Sequence, residues 1–457
     1  MPAEGLTLAH GIGGAKDLPI PAELAIAGAV AALVLSFTVL AVAWRTPRFD
    51  GPASGRPAWR WLSATVLSTP FRVLARLVGL AFFALAAVAA MFGENTLINP
   101  IFGFVYVWWW VGLVPASLLL GPVWKAISPV RTFNLLVSKI AGVDPEHGLL
   151  GYPARLGYWP AALGLFAFVW LELAYVYSTE LSPVRLWCAV YVAIMLVGGA
   201  LFGNGFYARA DPFEVYSTLV GKMSVWAVRD GRLLVRSPLS NLDSVEVGPG
   251  LVAVVSVLFG STAYDSFRES TYWLQFIQNN ETISTTPWLG EWIGTFGLLG
   301  MVLLVGAIFT VATMATGVIS DPAGGRASRW AVRRQLPDQF AHSIVPIVIG
   351  YIVAHYFTYL VEMGQLTLIQ ASDPLSNGSN LFGTADWKVN YGLGYHPTFI
   401  ANLKVVAVVV GHVLGVIAAH DRAIRLLPKR HQLTGQLPLL VAMVGFTAGG
   451  LYLLFAS

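Results

Sequence analysis

Residues 22–44 read AELAIAGAVAALVLSFTVLAVAW and decide the fold, because the whole run carries a single charged residue, Glu23. A transmembrane α-helix needs about 20 consecutive, mainly apolar residues. Further stretches of similar length and composition follow. We therefore predict an all-α polytopic bundle of about ten helices that forms one integral membrane domain over residues 1–457. The predicted spans are residues 22–44, 73–93, 98–121, 157–179, 183–204, 248–267, 293–318, 337–361, 400–420 and 436–456.

The overall composition leads to the same class of protein. Hydrophobic residues make up 56% of the 457 positions and charged residues 11%, whereas soluble domains average about 45–50% and about 25%. These proportions exclude a water-soluble enzyme and a disordered chain, and make the lipid bilayer the expected partner. The single cysteine, Cys188, excludes an intrachain disulfide and a cysteine-based metal site. No phosphate-binding loop or GxGxxG fingerprint is present, and no nucleic acid is expected among the partners.

The distribution of basic residues predicts the orientation. If the N-terminus is outside, 23 of the 28 lysines and arginines fall on the cytoplasmic side. Because basic residues accumulate in short cytoplasmic loops, this bias predicts an even number of spans with both termini extracytoplasmic, in a bacterial cytoplasmic (inner) membrane. The apolar part of residues 1–9 is too short for a secretory signal. We expect either targeting by the first span or a start further upstream with cleavage before His10.

Three predicted cytoplasmic segments share a polar residue followed by proline. They are Thr69-Pro70, Ser128-Pro129 and Asp211-Pro212, each with Leu-Val seven and eight residues after the proline. A capping side chain followed by proline at the first helical position begins a helix, so we predict helix starts at the membrane surface. The alternative is a diverged internal repeat of parallel orientation, with Asp321-Pro322 as a degenerate fourth copy.

Two predicted loops stand out by length. The cytoplasmic loop 205–247 contains Asp230-Gly231 between apolar runs, a dipeptide typical of a two-residue hairpin turn, and therefore predicts a small β hairpin. The outer loop 363–399 is long and polar. Loops of that length without internal structure are often lids or binding loops.

Ionisable side chains are few inside the predicted spans, where each costs on the order of a few kcal/mol unless it is paired. His355, Tyr359 and Glu362 share one face of the span 337–361, and Tyr351 extends that face by one turn. His412 lies near mid-depth in the span 400–420. These residues are the first candidates for a functional site.

Two carboxylates add to this set. Glu172 lies in the outer half of the fourth predicted span and Asp265 at the outer end of the sixth. His342 and His420 fall near the cytoplasmic ends of their spans. The intramembrane acids therefore concentrate in the predicted outer half of the bundle.

The sharpest hypothesis for these residues is a site for a divalent transition metal, Zn or Cu, that opens outward. Imidazole and carboxylate ligands suit such metals, and a metal-bound water supplies hydroxide near neutral pH. No HExxH motif is present. Structural hydrogen bonding between helices and a proton relay are the alternatives. The metal ligands would be His355, His412 and Glu362, and the catalytic groups Glu172, Asp265 and Tyr359.

Three motifs resemble a group of polytopic actinobacterial membrane proteins. They are His10-Gly11-Ile12-Gly13-Gly14, the segment from Asp211 to Tyr216, and Gly411-His412 with Ala419-His420-Asp421-Arg422. Proteins of this group are commonly described as similar to fenitrothion hydrolase, which hydrolyses organophosphorus triesters. The resemblance covers most of the chain but carries no established catalytic motif. It implies hydrolysis of a phosphotriester.

Two functions therefore remain open. The first is a metal-dependent hydrolase of organophosphorus triesters with an outward-facing site. The second is a transition-metal or proton-coupled transporter, or a metal-handling protein, that uses the same groups. Both would take a small molecule or ion from the extracytoplasmic side. A transporter also needs polar groups that continue to the cytoplasm, for which His342 and His420 are the candidates.

Overall fold

The computed structural model describes residues 13–49, 54–316 and 326–455. His10 and the Asp321-Pro322 pair lie outside the described residues. Within them, ten long helices follow one another along the chain. They are α1 Ala22–Ala43, α2 Thr69–Phe92, α3 Pro100–Leu120 (bent between Pro100–Val111 and Leu113–Leu120), α4 Trp159–Leu173, α5 Leu181–Phe202, α6 Leu251–Arg268, α7 Pro287–Ala315, α8 Val345–Gln370, α9 Pro397–Leu426 and α10 Leu437–Phe455.

The remaining helices connect these elements. They are Ala15–Asp17, Arg60–Val66, Val123–Ile127, Pro129–Ala141, Asn204–Ala210, Pro212–Gly221, Pro238–Leu242, Thr271–Asn279, Glu281–Thr285, Arg326–Phe340, Ala341–Ile344, Gly392–Tyr395, Lys429–His431 and Thr434–Gln436. The predicted outer loop 363–399 is shorter than expected, because α8 continues to Gln370 before the chain leaves the helix. The apolar pattern ends earlier than the helix does.

The chain has the helices of a multi-pass membrane protein. In the described residues, seven helices are long and apolar enough to cross a membrane, and the bent α3 would be an eighth. Helix α4 has 15 residues, about 22 Å at 1.5 Å per residue, whereas the hydrocarbon core is about 30 Å thick. Helix α6 is longer but ends in polar residues that include Asp265 and Arg268. The predicted count of ten spans therefore stays a prediction.

Proline-led starts explain where several helices begin. The starts at Ser128 and Asp211 are confirmed, because each side chain accepts backbone hydrogen bonds from the first turn and proline is the first helical residue. At the third start the capping residue is Ser68, and the predicted cap, Thr69, is already helical. The repeat hypothesis gains no further support from this difference.

The described residues form two compact units. Within the described ranges, the first unit comprises residues 13–49, 54, 242–316, 326–358 and 392–455, and the second comprises residues 55–241 and 359–391. Helix α8 therefore belongs to the first unit through Thr358 and to the second from Tyr359 onward. Each unit has its own core and its own buried polar groups.

In the first unit, glycines allow α8 and α9 to pack closely. A methyl group placed on Gly411 would lie 2.6 Å from the Pro346 carbonyl oxygen, and one on Gly350 would lie 2.4 Å from the Ala407 carbonyl oxygen. Gly411 and Gly415 form a GxxxG pair, the spacing with which small residues let membrane helices approach. This contact sets the relative depth of the histidines on the two helices.

In the second unit, aromatic rings pack around Phe213. Its ring lies 4.2 Å from the ring of Trp109 and 5.3 Å from that of Phe168, measured between centroids. Such ring pairs add to the stabilisation gained from burial alone. The short helix Pro212–Gly221 is thereby fixed in the core of this unit.

The second unit also contains a three-stranded antiparallel sheet. Its strands are β1 Arg56–Pro57, β2 Trp226–Arg229 and β3 Arg232–Val235, in the order β1-β3-β2. Asp230 and Gly231 join β2 to β3 with φ values of 50° and 69°. Two positive φ values are the requirement of a type I′ turn, which explains the Asp-Gly sequence. The cytoplasmic location of this sheet stays a prediction.

The glycine contact between α8 and α9 predicts a difference between two identical substitutions. Gly411→Ala should lower the free energy of unfolding by about 1–3 kcal/mol, because the new methyl group overlaps a backbone oxygen that cannot move aside. Gly445→Ala in α10 is the matched control, since nothing lies within 4 Å of the added methyl. Thermal unfolding in detergent measures both, and equal midpoints would contradict the packing argument.

Candidate functional site

The strongest cluster of buried polar groups surrounds Asp265 in the first unit. His355 Nε2 lies 2.9 Å from Asp265 Oδ2, and the Tyr356 hydroxyl donates to the same oxygen at 2.6 Å. Arg268 Nε donates to Oδ1 at 3.0 Å, one turn along α6. Only 3% of Asp265 and 7% of His355 are exposed. Hydrogen-bond donors from α6 and α8 thus replace the water that the carboxylate loses on burial, and Arg268 adds an opposite charge.

The second ring nitrogen of His355 continues the network. His355 Nδ1 lies 3.2 Å from the Ser266 hydroxyl, which accepts a hydrogen bond from the Tyr351 hydroxyl at 3.2 Å. If Nε2 carries the proton and donates to Asp265, Nδ1 is left to accept from Ser266, which is the arrangement of a neutral imidazole. If Nδ1 gained a proton, His355 would donate a hydrogen bond to the Ser266 hydroxyl instead of accepting one from it.

Further charges lie around this pair. Glu269 is within electrostatic reach of Asp265 and Lys404, and Lys404 is also within reach of Asp17. Burial, and then the charge of Asp265, raise the pKa of Glu269 above its usual range. With Asp17, Asp265 and Glu269 ionised and Arg268 and Lys404 protonated, the cluster contains three carboxylates and two cations besides the imidazole. One additional proton would bring its formal charge to zero.

His412 lies deeper in the first unit, next to the glycine contact of α8 and α9. It is 1% exposed, and its Nδ1 lies 2.9 Å from the Val408 carbonyl oxygen of its own helix. Because a carbonyl only accepts, Nδ1 carries the hydrogen. Nε2 has no hydrogen-bond partner in the described part of the chain. The ring thus presents an unpartnered nitrogen lone pair inside the bundle.

His420 lies eight residues after His412 on α9. Its Nδ1 lies 3.0 Å from Gln436 Oε1 and its Nε2 lies 3.0 Å from the Trp44 carbonyl oxygen. Gln436 Nε2 donates to Gln432, so its Oε1 is the acceptor. Both nitrogens of His420 therefore face acceptors, an arrangement that a protonated ring satisfies.

Ion pairs surround that end of α9. Asp421 accepts hydrogen bonds from Arg425 at 2.7 Å and from the Arg48 backbone at 2.6 Å. Asp243 lies 3.0 Å from Arg422 and 2.8 Å from Arg425. His342 is also buried here, with Nδ1 3.1 Å from the Gln339 carbonyl oxygen. The sequence motif His420-Asp421-Arg422 is thus part of a buried ionic network.

The remaining predicted site residues belong to the second unit. Glu172 lies within electrostatic reach of Tyr106 and Tyr216, and Tyr106 within reach of Tyr359. Glu362 is buried, and its Oε1 has no hydrogen-bond partner in the described ranges. Tyr359 was expected to act with His355, but the tyrosine that binds Asp265 is Tyr356. Residue 356 reaches the carboxylate because α6 crosses α8 at that point.

The predicted metal ligands are not assembled in either unit. Among the described residues, no group of three or more His, Cys, Asp or Glu side chains is arranged to hold a metal ion. His355 is paired with Asp265, His412 is bonded to its own helix through one nitrogen, and Glu362 belongs to the other unit.

Sequence reasoning missed several members of the site. Ser266 and Tyr356 are each adjacent to a predicted residue, yet neither the periodicity nor the charge pattern singled them out. Lys404 was not among the candidate site residues. The spacing of Asp265 and Arg268 could have indicated an ion pair within one helix turn. The Tyr351–His355 face is confirmed, since both residues contact Ser266.

A second buried carboxylate, Asp211, lies in the second unit. It accepts hydrogen bonds from Trp124 Nε1 and the Tyr191 hydroxyl, both at 3.1 Å, and from the backbone of Phe213. Complete burial, and then the negative charge of Glu214, raise the pKa of Asp211 to about 7. This residue therefore changes its charge near neutral pH.

No family model, curated protein or solved structure matches this chain. The function is therefore inferred from the geometry of the chain itself.

The raised pKa of Asp211 predicts that the free energy of unfolding depends on pH. Because its pKa of about 7 in the folded chain exceeds the value of about 3.9 expected for an unfolded chain, the folded state binds the proton more tightly. The free energy of unfolding should then fall as the pH rises from about 4 to about 7, and this fall is complete above that range. Thermal unfolding in detergent across this range measures it.

Asp211→Asn is the informative variant, because asparagine also caps a helix but cannot ionise. It should flatten the decline in stability with pH. Asp230→Asn, at the exposed hairpin turn, should leave the decline as in the wild type. Parallel profiles for the wild type and Asp211→Asn would contradict the assignment.

Proposed function

We propose that the protein is a proton-coupled membrane transporter whose proton-binding site is the Asp265–His355 pair. The observation that carries this proposal is the buried contact of 2.9 Å between the carboxylate and the imidazole, inside a bundle of apolar helices. Imidazole gains and loses a proton near neutral pH. Intramembrane pairs of acids and histidines are the usual components of proton relays.

The charges around the pair support proton binding. With His355 neutral, the cluster has one more carboxylate than cations, and a proton on the pair removes this excess. An uncompensated charge is costly in an apolar bundle. Proton binding would therefore change the relative stability of two arrangements of the surrounding helices. That difference is what couples a proton to transport.

Histidines at three levels of the first unit support a path for the proton. His355 lies at the predicted outer level, His412 near the middle, and His420 with His342 at the predicted cytoplasmic level. On α9, Lys404, His412 and His420 follow at intervals of eight residues, about 12 Å each. Such distances exceed a hydrogen bond, so transfer needs intervening water or movement of the rings. The unpartnered Nε2 of His412 is the acceptor for the middle step.

We place the chain in a bacterial cytoplasmic membrane with both termini outside, as the 23 basic residues of the predicted cytoplasmic loops indicate. In this orientation α4 and α6 complete a set of ten spans. The Asp265–His355 pair then lies towards the extracytoplasmic side, from which an ion or small molecule would enter. The sheet β1-β3-β2 and the loop 205–247 lie in the cytoplasm.

Proton flux into proteoliposomes tests this function without a known substrate. The vesicles contain a pH-sensitive dye, and a pH difference is imposed across the membrane. Wild-type protein should dissipate the difference faster than empty vesicles. Asp265→Asn should reduce the flux at least about tenfold, since removing one partner of a buried charged pair costs several kcal/mol.

Ser256→Ala is the matched control. Ser256 lies on the same helix. Among the described residues, its hydroxyl donates a hydrogen bond only to the Val252 carbonyl oxygen of that helix. Its substitution should leave the flux unchanged. Equal flux for Asp265→Asn and the wild type, or wild-type flux no faster than empty vesicles, would overturn the proposal.

A second candidate function rests on a different feature of the same cluster. Ser266, His355 and Asp265 form a continuous hydrogen-bonded chain, the order of groups in a serine hydrolase. In that function the Ser266 oxygen attacks phosphorus of an organophosphorus triester, His355 takes the proton, and an alkoxide or phenoxide leaves. The sequence resemblance to fenitrothion hydrolase-like proteins favours this substrate class. Ser266 is only 2% exposed, so the reaction also needs an opening movement.

Labelling with a fluorophosphonate separates the two functions. A serine hydrolase would incorporate the label at Ser266 in the wild type and not in Ser266→Ala. Ser261→Ala, a buried serine of the same helix bonded to Leu258, is the control and should not change labelling. We expect no label on Ser266, because the transporter needs this serine only as a hydrogen-bond partner of His355.

A further inference from the structure

An apolar groove runs between α2 and α5 in the second unit. It encloses about 470 Å³, and part of α3 forms its floor. Six of the seven α5 residues that line it follow helical spacing and form one stripe along the helix, and Tyr191 lies beside that stripe. Small side chains such as Ala86, Ala87 and Ala193 leave the space. The stripe on α5 consists of Arg185, Cys188, Ala189, Val192, Ala193 and Leu196.

The length of the groove matches one leaflet of a bilayer. From Arg185 to Leu196 the helix rises by eleven residues, about 16 Å. On α2 the lining runs from Gly79 to Met91, a similar distance. Half of the hydrocarbon core of a bilayer is about 15 Å thick. The groove therefore has the dimensions of a single acyl chain in one leaflet.

One end of the groove is cationic. Arg185 lines this end, its side chain is exposed, and it makes no hydrogen bond or ion pair within the described ranges. It lies in the second turn of α5. An arginine at that position extends towards the headgroups while its stem stays on apolar surface. The charge is thus available to a lipid phosphate.

A second polar group lies in the same half of the groove. Trp109 lines the wall, and its buried Nε1 has no hydrogen-bond partner among the described residues. Its ring lies 6.1 Å from that of Trp187 and 5.2 Å from that of Tyr191. Trp109 is therefore within two turns of Arg185 along α5. A buried N–H donor requires an acceptor.

We propose that this groove binds one anionic phospholipid, with an acyl chain along α5, the phosphate at Arg185 and an ester carbonyl oxygen at Trp109. A phospholipid has all three elements in this order: phosphate, ester carbonyl and chain. A free fatty acid has one anionic group and no separate ester. The proposal is independent of the proton site in the first unit.

Native mass spectrometry of lipid-stripped protein tests the proposal. The protein in detergent is mixed with equal amounts of phosphatidylglycerol and phosphatidylcholine, and the retained lipid is counted. Wild type should retain one phosphatidylglycerol in preference to phosphatidylcholine. Arg185→Gln should reduce this retention about tenfold, the loss of one charge-assisted hydrogen bond. Lys388→Gln, an exposed cation of the same unit, is the control and should behave as wild type.

Two further variants test the chain position. Ala193→Trp fills the groove and should reduce retention of both lipids, whereas Ile194→Trp, exposed beside it, should not. If Ala193→Trp fails to fold, Arg185→Gln alone decides. Equal retention of the two lipids by the wild type, or unchanged retention by Arg185→Gln, would overturn the proposal. Displacement of phosphatidylglycerol by oleate, with Trp109→Phe having no effect, would identify a fatty acid site and overturn the phospholipid assignment.

Discussion

A carboxylate buried among apolar helices is the constraint on which the first unit depends. Asp265 is 3% exposed, and without partners its charge would cost several kcal/mol or more. The tyrosine and histidine of α8 and the arginine of α6 meet this requirement together. Because His355 and Tyr356 are adjacent and both reach one oxygen, the crossing of α6 and α8 is fixed at this point. The pair is therefore a structural contact, and it is the site to which the proposed function assigns the proton.

The close packing of α8 and α9 determines the depths at which the buried polar groups of the first unit lie. Gly350 and Gly411 bring the two backbones together, and they place His412 between the Asp265 cluster and the ionic network of His420 and Asp421. Bulky residues at these glycines would separate the two helices. They would also separate the Asp265 cluster, His412 and the His420 network from one another. The same contact thus serves stability and the proposed path. Buried ion pairs at Asp243 and Asp421 hold the other end of α9 in place.

The sequence was sufficient for the class of fold and for naming Asp265 and His355 as separate candidates, but not for their contact. Apolar runs such as residues 22–44 predict membrane helices directly, and the cost of burial marked Asp265 and His355 before their contact was known. The dipeptide Asp230-Gly231 predicts its turn directly, because these residue types favour the backbone geometry that the turn requires. These features depend on local chemistry, which a single sequence contains.

Contacts between distant segments could not be read in the same way. The face shared by His355, Tyr359 and Glu362 was derived from one helix alone, whereas the partner of His355 is set by where α6 crosses it. The predicted metal site stays a prediction for this reason. Neither Arg185 nor Trp109 was a candidate, because a groove is formed by the small residues of α2 and α5 together. Residue spacing predicts faces, but tertiary packing determines which faces meet.

Infrared difference spectroscopy across roughly pH 8 to pH 5, the range in which imidazole titrates, tests the central claim most directly. Besides the carboxyl band of Asp211, which also titrates in this range, the wild-type spectrum should contain bands of a carboxyl or imidazole group of the Asp265–His355 pair that gains a proton. These bands should be absent from Asp265→Asn and present in Asp373→Asn, a loop aspartate bonded to the backbone of Asn377. Identical difference spectra for the wild type and Asp265→Asn would contradict the account, because the pair would then not bind the proton on which the proposed function depends.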